Sequence, residues 1–96
     1  MYKDLLNKKV LVRSADAGLY FGTLTNVDGE TCRLENARNI WHWTGALCFA
    51  DIANSGISGD KVSCIISAII LTGVCIIAPL SEAAIENLES QPVWSM

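Results

Sequence analysis

From Val62 to Leu80 the chain runs for nineteen residues without a charged side chain. A run this apolar has two physical outcomes. It crosses a bilayer as one helix, or it folds into strands buried by the rest of the chain. Its composition favours strands. Val62, Ile65, Ile66, Ile69, Ile70, Val74, Ile76 and Ile77 are β-branched, and such side chains suit a pleated surface. Thr72-Gly73 divides the run into two strand-length halves, and Pro79 closes it. No aromatic belt flanks it, and Lys61 is the only cation close by. Buried strands are therefore expected over Val62 to Leu71 and Val74 to Ala78, as two strands or one bent strand with a bulge near Thr72-Gly73. A small membrane protein using Val62 to Leu80 is the alternative.

The rest of the chain reads as sheet, then helix. Lys9 to Arg13 is a short strand, and Asp16-Ala17-Gly18 is a turn. Leu19 to Val27 alternates, and Asp28-Gly29 signals a hairpin before Glu30 to Glu35. Asn36-Ala37 interrupts the pattern, and Asn39 to Trp43 resumes it. Leu47, Phe49, Ala50, Ile52 and Ala53 fit a short helix from Ala46, capped by Thr44 and ended by Asn54-Ser55-Gly56. Ser81 caps a last helix that runs to Leu88, and Ser90-Gln91-Pro92 stops it. The apolar tail Val93-Trp94 is expected to dock. Residues 1–96 then make a single α+β domain: a small curved antiparallel sheet with one or two short helices. About half of the residues are hydrophobic, 51%. That is a surplus for a small core, and it points to a homo-oligomer.

Charge and cysteine spacing remove several function classes. A net charge of −3 opposes broad binding to a nucleic acid polymer. A local basic pocket stays open, because Arg13, Arg33 and Arg38 can converge in the fold or in an oligomer. Cys32, Cys48, Cys64 and Cys75 form no metal-ligand pair, so no metal and no cofactor is expected. They read as reduced cysteines, and Met1 to Lys9 lacks the apolar centre of a signal peptide, which together imply a cytoplasmic protein. No nucleophile sits in a catalytic context and His42 has no acidic neighbour in sequence, so an enzyme is not expected.

The chemistry that remains is concentrated in Ala37-Arg38-Asn39-Ile40-Trp41-His42-Trp43-Thr44-Gly45-Ala46. This stretch holds two of the three tryptophans, the only histidine and one of three arginines. Aromatic rings stack on a planar base, and guanidinium or imidazole pairs with phosphate. Trp41, Trp43 or Tyr20 would supply the ring. Arg13, Arg38 and His42 would supply the charge, helped by N–H groups near Thr44 and Gly45. On a strand, Trp41 and Trp43 share one face, while Ile40 and His42 share the other. One strand therefore cannot offer rings and cations on a single face. The plainer reading is that the tryptophans fill a core or an interface and that His42 is structural.

The order of these residues resembles a family of small proteins of tailed phages and prophages. The likeness rests on Val12-Arg13, Ala17-Gly18, Phe21-Gly22, Asn36-Ala37-Arg38, Ile40-Trp41, Trp43, Gly45-Ala46, Ile70-Leu71-Thr72, Ile76-Ile77 and Pro92-Val93-Trp94. It covers about residue 9 to residue 94. The chain departs from the pattern at Ser14-Ala15-Asp16, where the family has Thr-Tyr-Ser. It departs again at Asn39, where a second Arg is usual, and at Cys75, in strands that usually carry acidic residues. That family has no assigned biochemistry; by analogy with other small phage proteins, the resemblance implies a counter-defence role in the host bacterial cytosol. In that role the protein sequesters a cyclic nucleotide or related small signalling molecule and does not cleave it. The alternative is an interaction module that inhibits a host protein through an apolar surface.

Overall fold

Lys9–Ser14 forms strand β1, and three successive residues of it, Val10, Leu11 and Val12, have no solvent exposure. A strand points successive side chains to opposite faces, so a continuous buried run means that both faces of β1 are covered. Leu11 packs into one apolar cluster, while Val10 and Val12 pack into another. A computed structural model describes residues 2–15, 17–42, 49–57 and 61–93; the side chains of Tyr2, Trp41, His42 and Lys61 lie outside the description. After a 3-10 turn at Tyr2–Leu5 come β1, β2 (Gly18–Asp28), β3 (Thr31–His42), helix α1 (Phe49–Ser55), β4 (Lys61–Val62), β5 (Ile66–Leu71), β6 (Val74–Pro79) and helix α2 (Glu82–Glu89).

The six strands make one sheet in the order β4-β3-β2-β1-β6, with β5 also on β3. All the strand pairs are antiparallel. This is the α+β architecture expected from the sequence, a small curved sheet with two short helices. The β2–β3 hairpin turns at Gly29, whose φ of 60° is in the left-handed region, and Asp28 pairs with Thr31. Asn36 does not end the third strand. It takes φ 52° within β3, and the ladder shifts register between Phe21 and Thr23. The backbones crowd there. A Cβ on Gly22 would lie 3.0 Å from Ala37 Cα and 3.0 Å from Glu35 O, so any side chain here would press on the backbone of β3.

The charge-free run is divided as the β-branched residues indicated, but not by a bulge. Leu71 ends a strand on β3, and Val74 begins one on β1, at the other side of the sheet. Thr72-Gly73 is the link between them, with Gly73 at φ 61°. Three residue steps reach at most about 11 Å. The sheet must therefore curl until its two sides nearly meet. Inside the curl, Leu24, Cys32, Leu34 and Leu71 are buried, with Ile69, Val74 and Ile77 packed around them. No helix among the described residues is long and apolar enough to cross a membrane.

The helices cover the other face. Ile52 and Ala53 of α1 and Ala84 and Leu88 of α2 pack on Leu11, Leu19, Phe21 and Ile40. The described part of the first helix begins at Phe49. The expected start at Ala46 and cap at Thr44 fall outside the described residues, as do Trp43 and Trp94. The tail is described as far as Val93, which bridges Val62 in parallel. Gly56 follows α1 at φ 81°, the expected stop. Ser81 is the N-cap of α2: its Oγ accepts from Ala84 N at 3.0 Å. The same hydroxyl donates to Asn54 O near the end of α1. One side chain therefore holds both helix ends. Replacing Ser81→Ala is expected to cost about 1 kcal/mol, read as a lower urea midpoint with an unchanged denaturant slope.

Candidate functional site

A cleft opens on the helix-covered face of the sheet, beside α1 and at the end where β1 turns into β2. Its volume is ≈ 420 Å3, within the range of small-molecule sites. The buried Leu19, Ile40 and Ile52 form its apolar wall. Arg13, Asn39 and Phe49 provide the remaining chemistry, beside Ala17 and Gly18. Arg13 is the one charged residue among the described lining residues. It is exposed, so its guanidinium reaches a ligand without first losing its hydration to the protein. Gly18 has φ 94° and open space where a side chain would be, which lets a ligand approach the backbone.

Arg38 has a different environment. It lies one residue before Asn39 on β3, but its side chain is only 5% exposed. Its Nε donates to Ser63 O at 2.7 Å, and Nη1 donates to Leu88 O at 3.4 Å. The second bond meets one of the last carbonyls of α2, which lack partners within the helix and carry its negative dipole end. Ser63 also locks onto the next residue: its Oγ accepts from Asn39 N at 2.8 Å, and its N–H donates to Asn39 O at 2.9 Å. Burial lowers the pKa of Arg38 from the usual arginine value, opposed by its interaction with Cys64. Its Nη2 is buried with no partner among the described residues. Arg38 is a clamp that ties β3 to the start of the charge-free run and to α2.

The expected binding residues are thus separated. Arg13 lines the cleft. Arg38 lines a second cavity of ≈ 340 Å3 with Lys9, Thr23 and Asn36, where Lys9 is paired with Glu89. Arg33 pairs with Glu35 and Thr25 on the far half of the hairpin. Arg13 and Arg38 therefore line different cavities, and Arg33 lines neither of the two. Tyr20 packs half-buried against the inner cluster, and its neighbour Phe21 is buried with the helices, as alternation required. Trp41 and His42 lie on the last two positions of β3, and nothing of their side chains is described. Trp43, Thr44 and Gly45 lie outside the described residues. The chain that carries them joins two cleft-lining positions, Ile40 before it and Phe49 after it.

Sequence reasoning missed Asn39 and Phe49 as cleft residues. Asn39 had counted as a departure from a family pattern, and Phe49 as one apolar position of a helix. The signal for Asn39 was its neighbour Ile40, since a buried residue at the strand end fixes where the next side chain lies.

The domain of unknown function DUF6948 matches residues 7–88 of the chain. The chain belongs to this family. The DUF6948 region takes in every strand and most of α2. No curated protein matches the chain. Among solved structures, a heptameric archaeal Sm protein, described with implications for the eukaryotic snRNP core, is similar in fold. It has a TM-score of 0.57 and 23% identity, over 82% of this chain and 94% of that one. The likeness shows the fold: the curled antiparallel sheet is of the Sm type.

Removing the clamp tests its structural role. In Arg38→Met, the carbonyl of Ser63 loses its side-chain donor, while Leu88 O keeps the Gln91 N–H at 3.3 Å. Leaving a buried acceptor unpaired costs about 1–3 kcal/mol, so the melting temperature falls by several degrees. Arg38→Lys restores only part, because an ammonium cannot span both carbonyls as a planar fork does.

Proposed function

We propose that this protein is a homo-oligomeric, non-catalytic binding protein that sequesters an anionic, nucleotide-type small molecule in the Arg13 cleft. The observation that carries the reading is the composition of that cleft. A single exposed guanidinium stands beside a carboxamide, an aromatic ring and an apolar wall, in a space of ≈ 420 Å3. Arg13 pairs with phosphate as a planar fork. The ring of Phe49 takes the flat face of a base, and Asn39 offers one donor and one acceptor to its edge. A base–ring stack between apolar surfaces excludes water, which strengthens the ion pair beside it. Retention rather than turnover fits a lining with no paired acid and base among its described residues.

The fuller form of the reading follows the likeness to phage proteins. The ligand is then a cyclic nucleotide-type signal of host immunity, and the protein is a counter-defence sponge in the bacterial cytosol. The net charge of −3 supports a small anion held locally over a nucleic acid polymer, which needs an extended positive surface.

A second reading has its own support. Ile65, Ile70, Ile76 and Val93 are large apolar side chains with 44–64% exposure, and a surface of that kind also fits a host protein.

Calorimetry against cyclic di- and trinucleotides and cyclic ADP-ribose isomers separates the readings. The sponge is expected to bind at least one of them and to release it chemically intact on denaturation. Arg13→Ala should weaken that binding by at least tenfold with no change in melting temperature. A flat titration across the panel sinks the ligand reading.

A further inference from the structure

The second cavity, of ≈ 340 Å3, lies over β1, β2 and β3 beside the last turn of α2. It shares no described lining residue with the Arg13 cleft, and sequestration in that cleft makes no use of it. Its volume is also in the range of small-molecule sites. Arg38 gives it its chemistry. A guanidinium has N–H donors on all three nitrogens. Here Nε is taken by Ser63 O and Nη1 by Leu88 O. Nη2 is buried and has no partner among the described residues. A buried donor on a charged group is costly to leave unmade, and arginine keeps its charge in a protein. The partner that suits Nη2 is an anionic oxygen.

We propose that the Arg38 cavity is a second binding site, which holds a small organic monoanion, a carboxylate or a phosphodiester, with one anionic oxygen on Nη2. The charges of the lining set the ligand's charge. Lys9 and Arg38 stand against Glu89, so one positive charge is left over, and a dianion would meet the Glu89 carboxylate. The carbonyls that end α2 also oppose an anion, but Leu88 O is already engaged by Nη1 and by the Gln91 N–H. Thr23 and Asn36 line the same space, and a hydroxyl and a carboxamide each have a hydrogen to give to the ligand's second oxygen. The organic part of the ligand follows from the apolar lining. Phe21 is buried, while Ile65 is 64% exposed. An alkyl group placed between them takes apolar surface out of water, which an inorganic ion cannot do.

The test is an NMR titration of the full chain carrying Arg13→Ala, so that the cleft cannot supply the anion site. The probes are butyrate and dimethyl phosphate, with butyramide as the neutral control. Arg38 stays in place, because it also ties β3 to α2. Saturable shifts are expected at the Arg38 Nε–H and at the Gly22 and Thr23 amides, with none from butyramide. A response to one anion only identifies the ligand's head group, and a response to both supports the shared chemistry. Lys9 and Glu89 are both exposed, so Lys9→Met and Glu89→Gln should leave the melting temperature nearly unchanged. Lys9→Met should weaken the anion and Glu89→Gln should tighten it, each about two- to fivefold. No saturable shift with either anion overturns the proposal, as does an equal response to butyramide. Weaker binding in Glu89→Gln overturns it too. Failure of the Arg13 cleft to bind nucleotides leaves this site standing, and failure here leaves that cleft untouched.

Discussion

The structure depends on a short link. Leu71 closes a strand on one side of the sheet, Val74 opens a strand on the other, and Thr72-Gly73 spans the gap. Chain connectivity alone then forces the sheet to curl, because two intervening residues cannot bridge a flat sheet of this width. Curling creates the inner cluster around Leu24, Leu34 and Leu71. It also decides where charge can go. A strand at the seam has one side chain in two inside the curl, and the outward ones lie at the open edge. The absence of charge between Lys61 and Glu82 has two causes, an apolar interior and an apolar edge.

The Arg38 clamp solves a second problem. The helices must seal the outer face of the sheet while α2 ends against β3. A buried guanidinium costs desolvation, which the lowered pKa of Arg38 expresses. The cost is offset by donation to Ser63 O and Leu88 O. Hydrogen bonds to charged donors contribute more than neutral ones. The clamp also sets the strand end that carries Asn39 and Ile40, so a structural arginine holds the cleft in shape from behind. Arg13 faces the cleft because alternation puts it on the face of Leu11, which carries the helices, while Val12 points into the inner cluster.

Much of the fold was legible in local pattern. The β2–β3 hairpin, the strand at Lys9, the Ser81 cap and the division of the apolar run all come from chemistry within a few residues. The errors fall where distant contacts decide. Asn36 looked like a break, but β2 and β5 flank β3 on both sides, and pairing on two edges carries a strand through one residue at positive φ. Thr72-Gly73 looked like a bulge, because nothing local distinguishes an extra residue from a crossing between sheet sides. The site was legible in part. Arg13 lines a cleft, while Arg38, chemically the same residue, is withdrawn beneath α2. Asn39 and Phe49 were passed over because each looks ordinary beside its sequence neighbours.

What this sequence determined by itself is set by short-range physics. Alternation and β-branching make sheet, capping residues start and stop helices, and the lack of charge consigns residues 62–80 to burial or contact. Only the tertiary structure decided which arginine meets solvent, which strands are left as edges, and which residues face one another across the cleft. Those outcomes turn on desolvation and chain crossing. Both depend on residues that lie dozens of positions apart and share no local pattern, as Arg38 and Leu88 do.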